Sequence, residues 1–278
     1  MRGAPPIRAK KRLGQHFLRD PAVVAQLIDL AEFQPEATVI EIGPGLGALT
    51  LPLAGSVRQV IGIEKDAELV EILRERLLLR GIRNVTLMNQ DVLKADFEDL
   101  ARSAGQYLQV IGNLPFNISS PFLEKLMENR SFIARAVLTF QAEVGRRLIA
   151  SPGNKDYGAM TVLVQYHARI SPLLEIPRSA FSPPPKVESM VLEIDFSRPY
   201  PLRASDEGTF RKAVRGAFAH RRKTIFNSLR SAYPDWSLKN ISNALEKSRI
   251  DPKSRAEVLG INSFIRLSDS LVLSWTAA

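Results

Sequence analysis

The chain has 278 residues and no cysteine, and its 38 Lys and Arg outnumber its 29 Asp and Glu, giving a formal net charge of +9. The length suits one large domain and a small one, and the lack of cysteine excludes disulfides and thiolate metal sites, which suits a reducing cytoplasm. No apolar run follows the first Met, and no segment approaches the ~20 apolar residues of a membrane span, so we expect a soluble, cytoplasmic protein with no membrane partner.

The positive charge is concentrated at the two ends of the chain. Residues 1–19 carry a net charge of +6, residues 20–198 a net −4 and residues 199–278 a net +7. A slightly acidic middle between basic ends is typical of a catalytic core with separate surfaces that bind phosphate. A basic tail and a solvated helical face would give the same charges, so the pattern alone leaves both interpretations open.

The chain begins with a basic stretch that shows no periodicity. Residues 1–12 are predicted to form a flexible arm that folds against an anionic partner. Asp20 and Pro21 then predict the start of a helix, as its N-cap and its first residue. We place a catalytic domain over residues 13–197 and a small helical, RNA-binding domain over residues 205–278, where the apolar pattern becomes wholly helical.

A glycine-rich stretch at residues 39–50, V-I-E-I-G-P-G-L-G-A-L-T, predicts a strand, a tight turn and a helix. Glycine at Gly43, Gly45 and Gly47 lets main-chain N–H groups and the positive end of the helix approach a ligand. The spacing indicates a nucleotide but does not say which one, because it also fits the looser dinucleotide pattern. Glu64, which ends the next predicted strand, lies where a ribose-binding acid is expected in either case.

Further strands alternate with helices, which predicts an α/β fold with a parallel sheet flanked by helices. Ligands bind at the carboxyl ends of the strands in such sheets. We therefore expect four residues at those ends to line one edge: Glu41, Glu64, Asp91 and Asn113. Residues 173–176 and 189–196 predict an antiparallel pair that closes the sheet, and residues 160–167 fit either a helix or a buried strand.

The tetrad Asn113-Leu114-Pro115-Phe116 follows the fourth predicted strand and indicates the chemistry. The Asn113 amide oxygen and the Leu114 carbonyl can accept hydrogen bonds from the amino group of adenine, which favours a tetrahedral nitrogen and directs its lone pair. Phe116 can stack on the base, as sites that extrude a base require. Such a site needs neither a metal nor a strong general base. The alternative is a turn in which proline and phenylalanine merely pack.

Four motifs in this order resemble the ribosomal RNA adenine dimethylases: G-Q-H-F-L at 14–18, the glycine-rich stretch, N-L-P-F, and F-S-P-P-P-K-V-E-S at 181–189. The resemblance runs from about residue 13 to the C-terminus and is strongest to members that modify bacterial small-subunit rRNA. It implies a Rossmann-like sheet of seven strands, the last one antiparallel, with a small all-α C-terminal domain. It also implies S-adenosylmethionine as cofactor, S-adenosylhomocysteine as product, and no metal.

The reaction implied by the resemblance is N6,N6-dimethylation of two adjacent adenosines in a hairpin loop near the 3′ end of 16S rRNA, within an assembling 30S particle. The implied cofactor residues are Gln15, His16, Leu18, Glu41, Gly43, Gly45, Glu64, Lys65, Asp91, Val92 and Asn113. The base would lie against Asn113, Leu114, Pro115 and Phe116, with Phe181 closing on it from the other side. The implied RNA contacts are Arg221, Arg222 and Lys223, and further candidates near the expected mouth of the site are Arg146 and Arg147.

Two positions depart from the common pattern of the family. His16 stands where asparagine is more usual, and Phe116 where tyrosine often occurs. Phenylalanine keeps the stacking face and loses only a hydroxyl group. At position 16 the histidine replaces an amide, and a histidine that simply packs and hydrogen-bonds within the protein is an equally good interpretation.

Other functions fit parts of the sequence. The large-subunit rRNA methyltransferases that confer macrolide resistance share the family, but the long basic C-terminal region and F-S-P-P-P-K argue against them. An RNA-binding assembly factor without catalysis would not need Glu64, Asp91 and N-L-P-F. A nicotinamide-dependent dehydrogenase fits the glycine-rich stretch alone, with no residue set for hydride transfer. We expect a monomer, because no spare apolar surface is evident.

Overall fold

The computed structural model describes Lys10 and residues 14–276, so the predicted arm at residues 1–12 lies outside the described residues except for Lys10. By its contacts the chain divides into two compact units. The first contains Met1–Gly145 and Ile170–Ser197, and the second contains Arg146–Arg169 and Arg198–Ala278.

The first unit is built on a seven-stranded sheet, and the strands of the described residues are β1 (Phe17–Leu18), β2 (Thr38–Ile42), β3 (Gln59–Glu64), β4 (Val85–Asn89), β5 (Leu108–Asn113), β6 (Ile133–Gln141), β7 (Arg169–Ile176), β8 (Phe181–Ser182) and β9 (Ser189–Asp195). The sheet has the order β4-β3-β2-β5-β6-β9-β7. The strands from β2 to β6 pair in parallel, and β9 pairs antiparallel with β6. This architecture confirms the predicted fold class.

Helices alternate with these strands, as right-handed crossovers between parallel strands require. They are α1 (Pro21–Ala31), α2 (Thr50–Ala54), α3 (Ala67–Leu79), α4 (Phe97–Ala104), α5 (Ser119–Glu128) and α6 (Ala142–Leu148). Every residue of β2 is buried, which explains its uninterrupted apolar and β-branched sequence around Glu41. Asp20 caps α1 as predicted, because its side chain accepts hydrogen bonds from Ala22 N and Val23 N.

The short strands β1 and β8 form a second, two-stranded sheet in the first unit. They pair antiparallel, with Phe17 opposite Ser182 and Leu18 opposite Phe181. Arg19 N extends the contact by donating to the Ala180 carbonyl at 2.8 Å. This pairing joins the G-Q-H-F-L and F-S-P-P-P-K motifs, which lie far apart in the sequence.

The second unit is helical, with α7 (Ala159–His167), α8 (Glu207–Phe218), α9 (Ile225–Ala232), α10 (Leu238–Lys247) and α11 (Ile261–Thr276). The segment that fitted either a helix or a strand is thus the helix α7. Its Tyr166 ring stacks on Phe210 with centroids 4.1 Å apart, and Tyr157 donates a hydrogen bond to the Leu259 carbonyl at 3.1 Å. With these contacts Arg146–Arg169 groups with the C-terminal helices, although it was predicted to belong to the catalytic domain.

The described part of the chain contains no helix that is both long and apolar enough to cross a membrane.

Candidate active site

A cavity of about 670 Å³ lies at the carboxyl ends of the parallel strands in the first unit. Glu41 of β2, Glu64 at the end of β3, Asp91 after β4 and Asn113 at the end of β5 all line it. The structure therefore brings together the four residues that were expected at one edge of the sheet. A concave site of this size, with a few converging polar groups, suits a nucleotide-sized ligand.

The glycines after β2 serve different purposes. Gly43 has a φ of +67°, and a Cβ added there would meet no atom within 4 Å, so the backbone borders open space. Gly47 has a φ of +85°, and a Cβ there would lie 2.5 Å from Leu73 Cδ1 of α3. Gly43 thus leaves room for a ligand, whereas Gly47 is required by packing.

The helix after this loop is short. It is α2, a helix of five residues that begins at Thr50. A helix with so few peptide dipoles carries little positive charge at its N-terminus. Two main-chain N–H groups of the loop are bonded within the protein: Gly43 N donates to the Ile63 carbonyl and Gly45 N to the Glu64 side chain.

Glu64 is almost fully buried, with 7 % of its surface exposed. Its Oε1 accepts a hydrogen bond from Asp66 N at 2.9 Å, and its Oε2 accepts one from Gly45 N at 3.1 Å. Burial raises the pKa of this carboxyl group above its ordinary value. Each carboxylate oxygen has a second lone pair, so Glu64 can also accept hydrogen bonds from two hydroxyl groups of a ligand.

Asp91 is held beside the cavity by Lys65 and by the turn that follows it. Its Oδ2 lies 2.7 Å from Lys65 Nζ, and its Oδ1 accepts a hydrogen bond from Leu93 N at 3.0 Å. The Lys65 ammonium lowers the pKa of Asp91, so the carboxylate is ionised and remains an acceptor. Val92 is buried and lines the same region of the cavity.

Glu41 is the most deeply buried acid of the site, with 1 % of its surface exposed. Burial raises its pKa to about 7. Its Oε2 accepts no hydrogen bond from any described residue. Buried polar atoms are nearly always paired, so this oxygen is a candidate partner for a donor group on a bound ligand.

Asn113 has one end of its amide fixed by the protein. Its Nδ2 donates a hydrogen bond to the His16 carbonyl at 2.8 Å, and no described residue donates to its Oδ1. Leu114 is buried, and Phe116 begins a single turn of 3-10 helix over Phe116–Ile118. Asn113, Leu114, Pro115 and Phe116 all line the cavity, so the tetrad lies at the same site as the carboxylates.

Gln15 and Lys10 attach the segment before β1 to the start of α3. Gln15 Nε2 donates to Asp66 Oδ2 at 3.1 Å, and Gln15 Oε1 accepts from Lys10 N at 2.8 Å. Lys10 Nζ completes the network with an ion pair to Asp66 Oδ1 at 2.7 Å. Asp66 was not predicted as a site residue, although an acid directly before a helical pattern is a capping signal. Leu18 is buried in β1 beside the cavity.

The sequence matches the protein family described as "Ribosomal RNA adenine dimethylase" over residues 7–272. The chain belongs to this family. It is similar to proteins named "Ribosomal RNA small subunit methyltransferase A", with 43% identity to that of Desulforapulum autotrophicum over 95% of this chain and 93% of the relative. Identity to the Bacillus cytotoxicus protein of the same name is 40%, over 95% of this chain and 91% of the relative.

The chain is also similar to solved structures. A dimethyladenosine transferase from Plasmodium falciparum matches with a TM-score of 0.75 and 26% identity, over 91% of this chain and 96% of that one. The 23S rRNA methyltransferase ErmE matches with a TM-score of 0.68 and 26% identity, over 92% and 99%. The predicted enzyme class, an S-adenosylmethionine-dependent rRNA adenine dimethyltransferase, is confirmed.

Phe181 lies elsewhere than its expected role requires. It is 4 % exposed, pairs with Leu18 across β1 and β8, and is not among the residues that line the cavity. Its ring belongs to the apolar core of the first unit. A ring packed in this core has no free face for a base.

The basic residues predicted to contact RNA belong to the second unit and not to the cavity. Arg146 and Arg147 are exposed in the last turn of α6. The basic stretch from Arg221 to Lys223 occupies the turn between α8 and α9.

These cations differ in how they are held. Arg221 Nη2 donates to the carbonyls of Lys155 and Tyr157, and Lys223 Nζ donates to Ser231 Oγ at 3.0 Å. Arg222 is exposed and has no partner in the described part of the chain. For metals, no group of three or more His, Asp or Glu side chains that could hold an ion occurs among the described residues.

Proposed function

We propose that this chain transfers methyl groups to the N6 amines of two adjacent adenosines in a hairpin loop near the 3′ end of 16S rRNA. The observation that carries the proposal is Asn113 at the end of β5, with its amide nitrogen held by His16 and its oxygen without a partner among the described residues. The oxygen is therefore available to an amino group at the cavity that Glu64 and Asp91 also line.

The cavity fits S-adenosylmethionine. Gly43 borders open space, so a ligand can approach its backbone, and the unpaired Glu41 oxygen offers a buried acceptor. Glu64 would accept the ribose hydroxyls, and Asp91 the amino group of the cofactor's adenine. When bound, the cofactor supplies an electrophilic methyl group on a sulfonium centre.

The tetrad would prepare the target amine. The nitrogen of an adenine amino group is a poor nucleophile because its lone pair is delocalised into the ring. Accepting one N–H at Asn113 Oδ1 and the other at the Leu114 carbonyl favours a tetrahedral nitrogen and aims its lone pair. Phe116 would hold the base by stacking. The proton leaves readily once the nitrogen is positively charged, so alignment supplies most of the rate.

The small subunit is favoured as substrate because the relatives that are 40–43% identical carry the name of that activity, whereas ErmE is 26% identical. The basic turn of the second unit, Arg221 to Lys223, would contact rRNA phosphates. Such contacts do not depend on the base sequence. Within this proposal the protein is a cytoplasmic monomer that acts on an assembling 30S particle.

The test is methyl transfer from labelled S-adenosylmethionine to small subunits that lack the modification, followed by nucleoside analysis. Mature small subunits and large subunits are the controls. We expect dimethyladenosine in the unmodified small subunits alone. Cofactor binding without transfer to any of the three would contradict the proposed function and favour a non-catalytic assembly factor.

A further inference from the structure

His16 lies where the short strands β1 and β8 meet. The pairing of Phe17 with Ser182 sets His16 beside Pro183, and His16 Nδ1 lies 2.8 Å from the Pro183 carbonyl oxygen. A carbonyl oxygen can only accept, so Nδ1 carries the proton in this contact. The His16 side chain is thus hydrogen-bonded within the protein through Nδ1. In the common pattern of the family this position is an asparagine, whose amide is expected to contact the cofactor.

The His16 ring also supports Phe116. The two ring centroids are 5.8 Å apart with their planes at 28°, an offset stack. Among the described residues, His16 provides the ring on which Phe116 stacks. An aromatic ring has two faces, so stacking on His16 leaves the opposite face of Phe116 for a base.

The main chain of the same residue fixes Asn113, because the His16 carbonyl accepts the hydrogen bond from Asn113 Nδ2. One residue therefore contacts both groups that would bind the target base, the amide through its backbone and the aromatic ring through its side chain. The bond to Pro183 holds the imidazole in the orientation that this stack needs.

We propose that His16 is a positioning residue for the target adenine, acting through Phe116 rather than through the cofactor. This inference rests on the proposed function. Holding Phe116 in one orientation restricts the base that stacks on it, so the amino nitrogen spends more time in line with the methyl group. Loss of the imidazole should lower turnover and leave cofactor binding unchanged.

Two substitutions separate the features of the side chain. His16→Asn keeps a donor near the Pro183 carbonyl and removes the ring, whereas His16→Phe keeps a ring and removes the donor. We expect His16→Asn to lower kcat about fivefold, the size of an aromatic pair contact, with the cofactor Kd changed less than about twofold. His16→Phe should recover part of that loss. Val187→Ala is the matched control. Val187 is exposed and lies with Pro183 in the segment between β8 and β9, and its variant should have the kcat of the wild type.

A double-mutant cycle with Phe116→Leu tests whether His16 acts through that ring. If it does, His16→Asn has no further effect on kcat in the Phe116→Leu background. A loss of equal size in both backgrounds, or a rise in the cofactor Kd that matches the loss of kcat, would overturn the inference. Thermal unfolding of each variant checks that it is folded. If the wild type transfers no methyl group, the proposed function fails; if it transfers and the cycle is additive, only the role of His16 fails.

Discussion

The side-chain nitrogen of Asn113 donates a hydrogen bond of 2.8 Å to the main-chain carbonyl of His16. This bond orients the amide, because a carbonyl oxygen accepts only from the NH2 side. The catalytic group therefore takes its direction from a backbone atom of a distant segment, and a side-chain substitution at position 16 leaves that atom in place.

Replacing Asn113 should separate methyl transfer from cofactor binding. We expect Asn113→Ala to lower kcat by about 100-fold or more, the cost of removing a preorganised polar group at a reacting centre. The cofactor should still bind, since Glu64 and Asp91 are untouched. Transfer assays on unmodified small subunits and calorimetry with S-adenosylhomocysteine give the two values. Turnover near that of the wild type would refute the role of the amide.

Glu64 is expected to control cofactor affinity. Glu64→Ala removes a buried carboxylate that accepts from Gly45 N and Asp66 N, and that would accept the ribose hydroxyls. Hydrogen bonds to charged groups are worth ~1.5–3 kcal/mol, so the cofactor Kd should rise by about tenfold or more. Glu75→Ala, an exposed acid on α3, is the control. Equal affinities for Glu64→Ala and the wild type by calorimetry would exclude the ribose contact.

Glu41 should make the stability of the cofactor-free protein depend on pH. Its pKa is raised in the folded state from 4.5 to about 7, so the folded state binds the proton more tightly than the unfolded state. Stability is then lost as pH rises from about 4.5 to about 7. Glu41→Gln lacks this loss, so relative to the wild type it should gain about 2 kcal/mol between pH 5 and pH 8.

Urea unfolding at the two pH values measures this difference. The free energy of unfolding of the Glu41→Gln variant should still fall with pH, but less steeply than that of the wild type. The remaining fall comes from Glu64, because burial raises its pKa as well. Identical pH profiles for the wild type and Glu41→Gln would show that Glu41 does not titrate in this range.

Lys10 should hold the segment before β1 closed against α3. Lys10→Ala removes the ion pairs to Asp66 and Glu68 and weakens the network that carries Gln15. Because Gln15 lines the cavity, we expect faster cofactor dissociation and faster proteolysis of the N-terminal segment. Glu68→Ala breaks only the more exposed pair and should have a smaller effect. Stopped-flow dissociation and limited proteolysis decide, and unchanged rates for Lys10→Ala would rule out the closure.

Arg221 and Arg222 should respond differently to substitution. Arg222→Ala should weaken binding to small subunits and reduce the slope of log K against log salt by about one, without changing the Tm. Arg221→Ala should also lower the Tm, because its guanidinium group donates to the Lys155 and Tyr157 carbonyls. Filter binding over a salt series and thermal unfolding give both quantities. An unchanged salt slope for Arg222→Ala would show that Arg222 does not contact RNA phosphates.

Part of the fold and of the site could be predicted from short-range sequence patterns. The start of α1 at Pro21 was predicted correctly, because Asp20 and Pro21 form a local N-terminal signal for a helix. Glu64 and Asn113 could be placed at the cavity because parallel strands end at one edge.

Contacts between distant segments were beyond reach from the sequence. The pairing of β1 with β8, the bond from Asn113 to His16 and the network at Asp66 have no local signature. The position of Phe181 could not be predicted either. Its motif suggested a contact with the base, but its burial depends on pairing with β1, a strand of only two residues.

The second unit is assembled from two separate stretches of chain, since Tyr166 of α7 stacks on Phe210 of α8. A fragment that starts at Arg198 would lack α7 and leave the Phe210 ring without this partner. During synthesis α7 is made before β9 and before the C-terminal helices, so its packing partner Phe210 comes later in the chain. Engineering that exchanges the helical unit between relatives must therefore replace both stretches together.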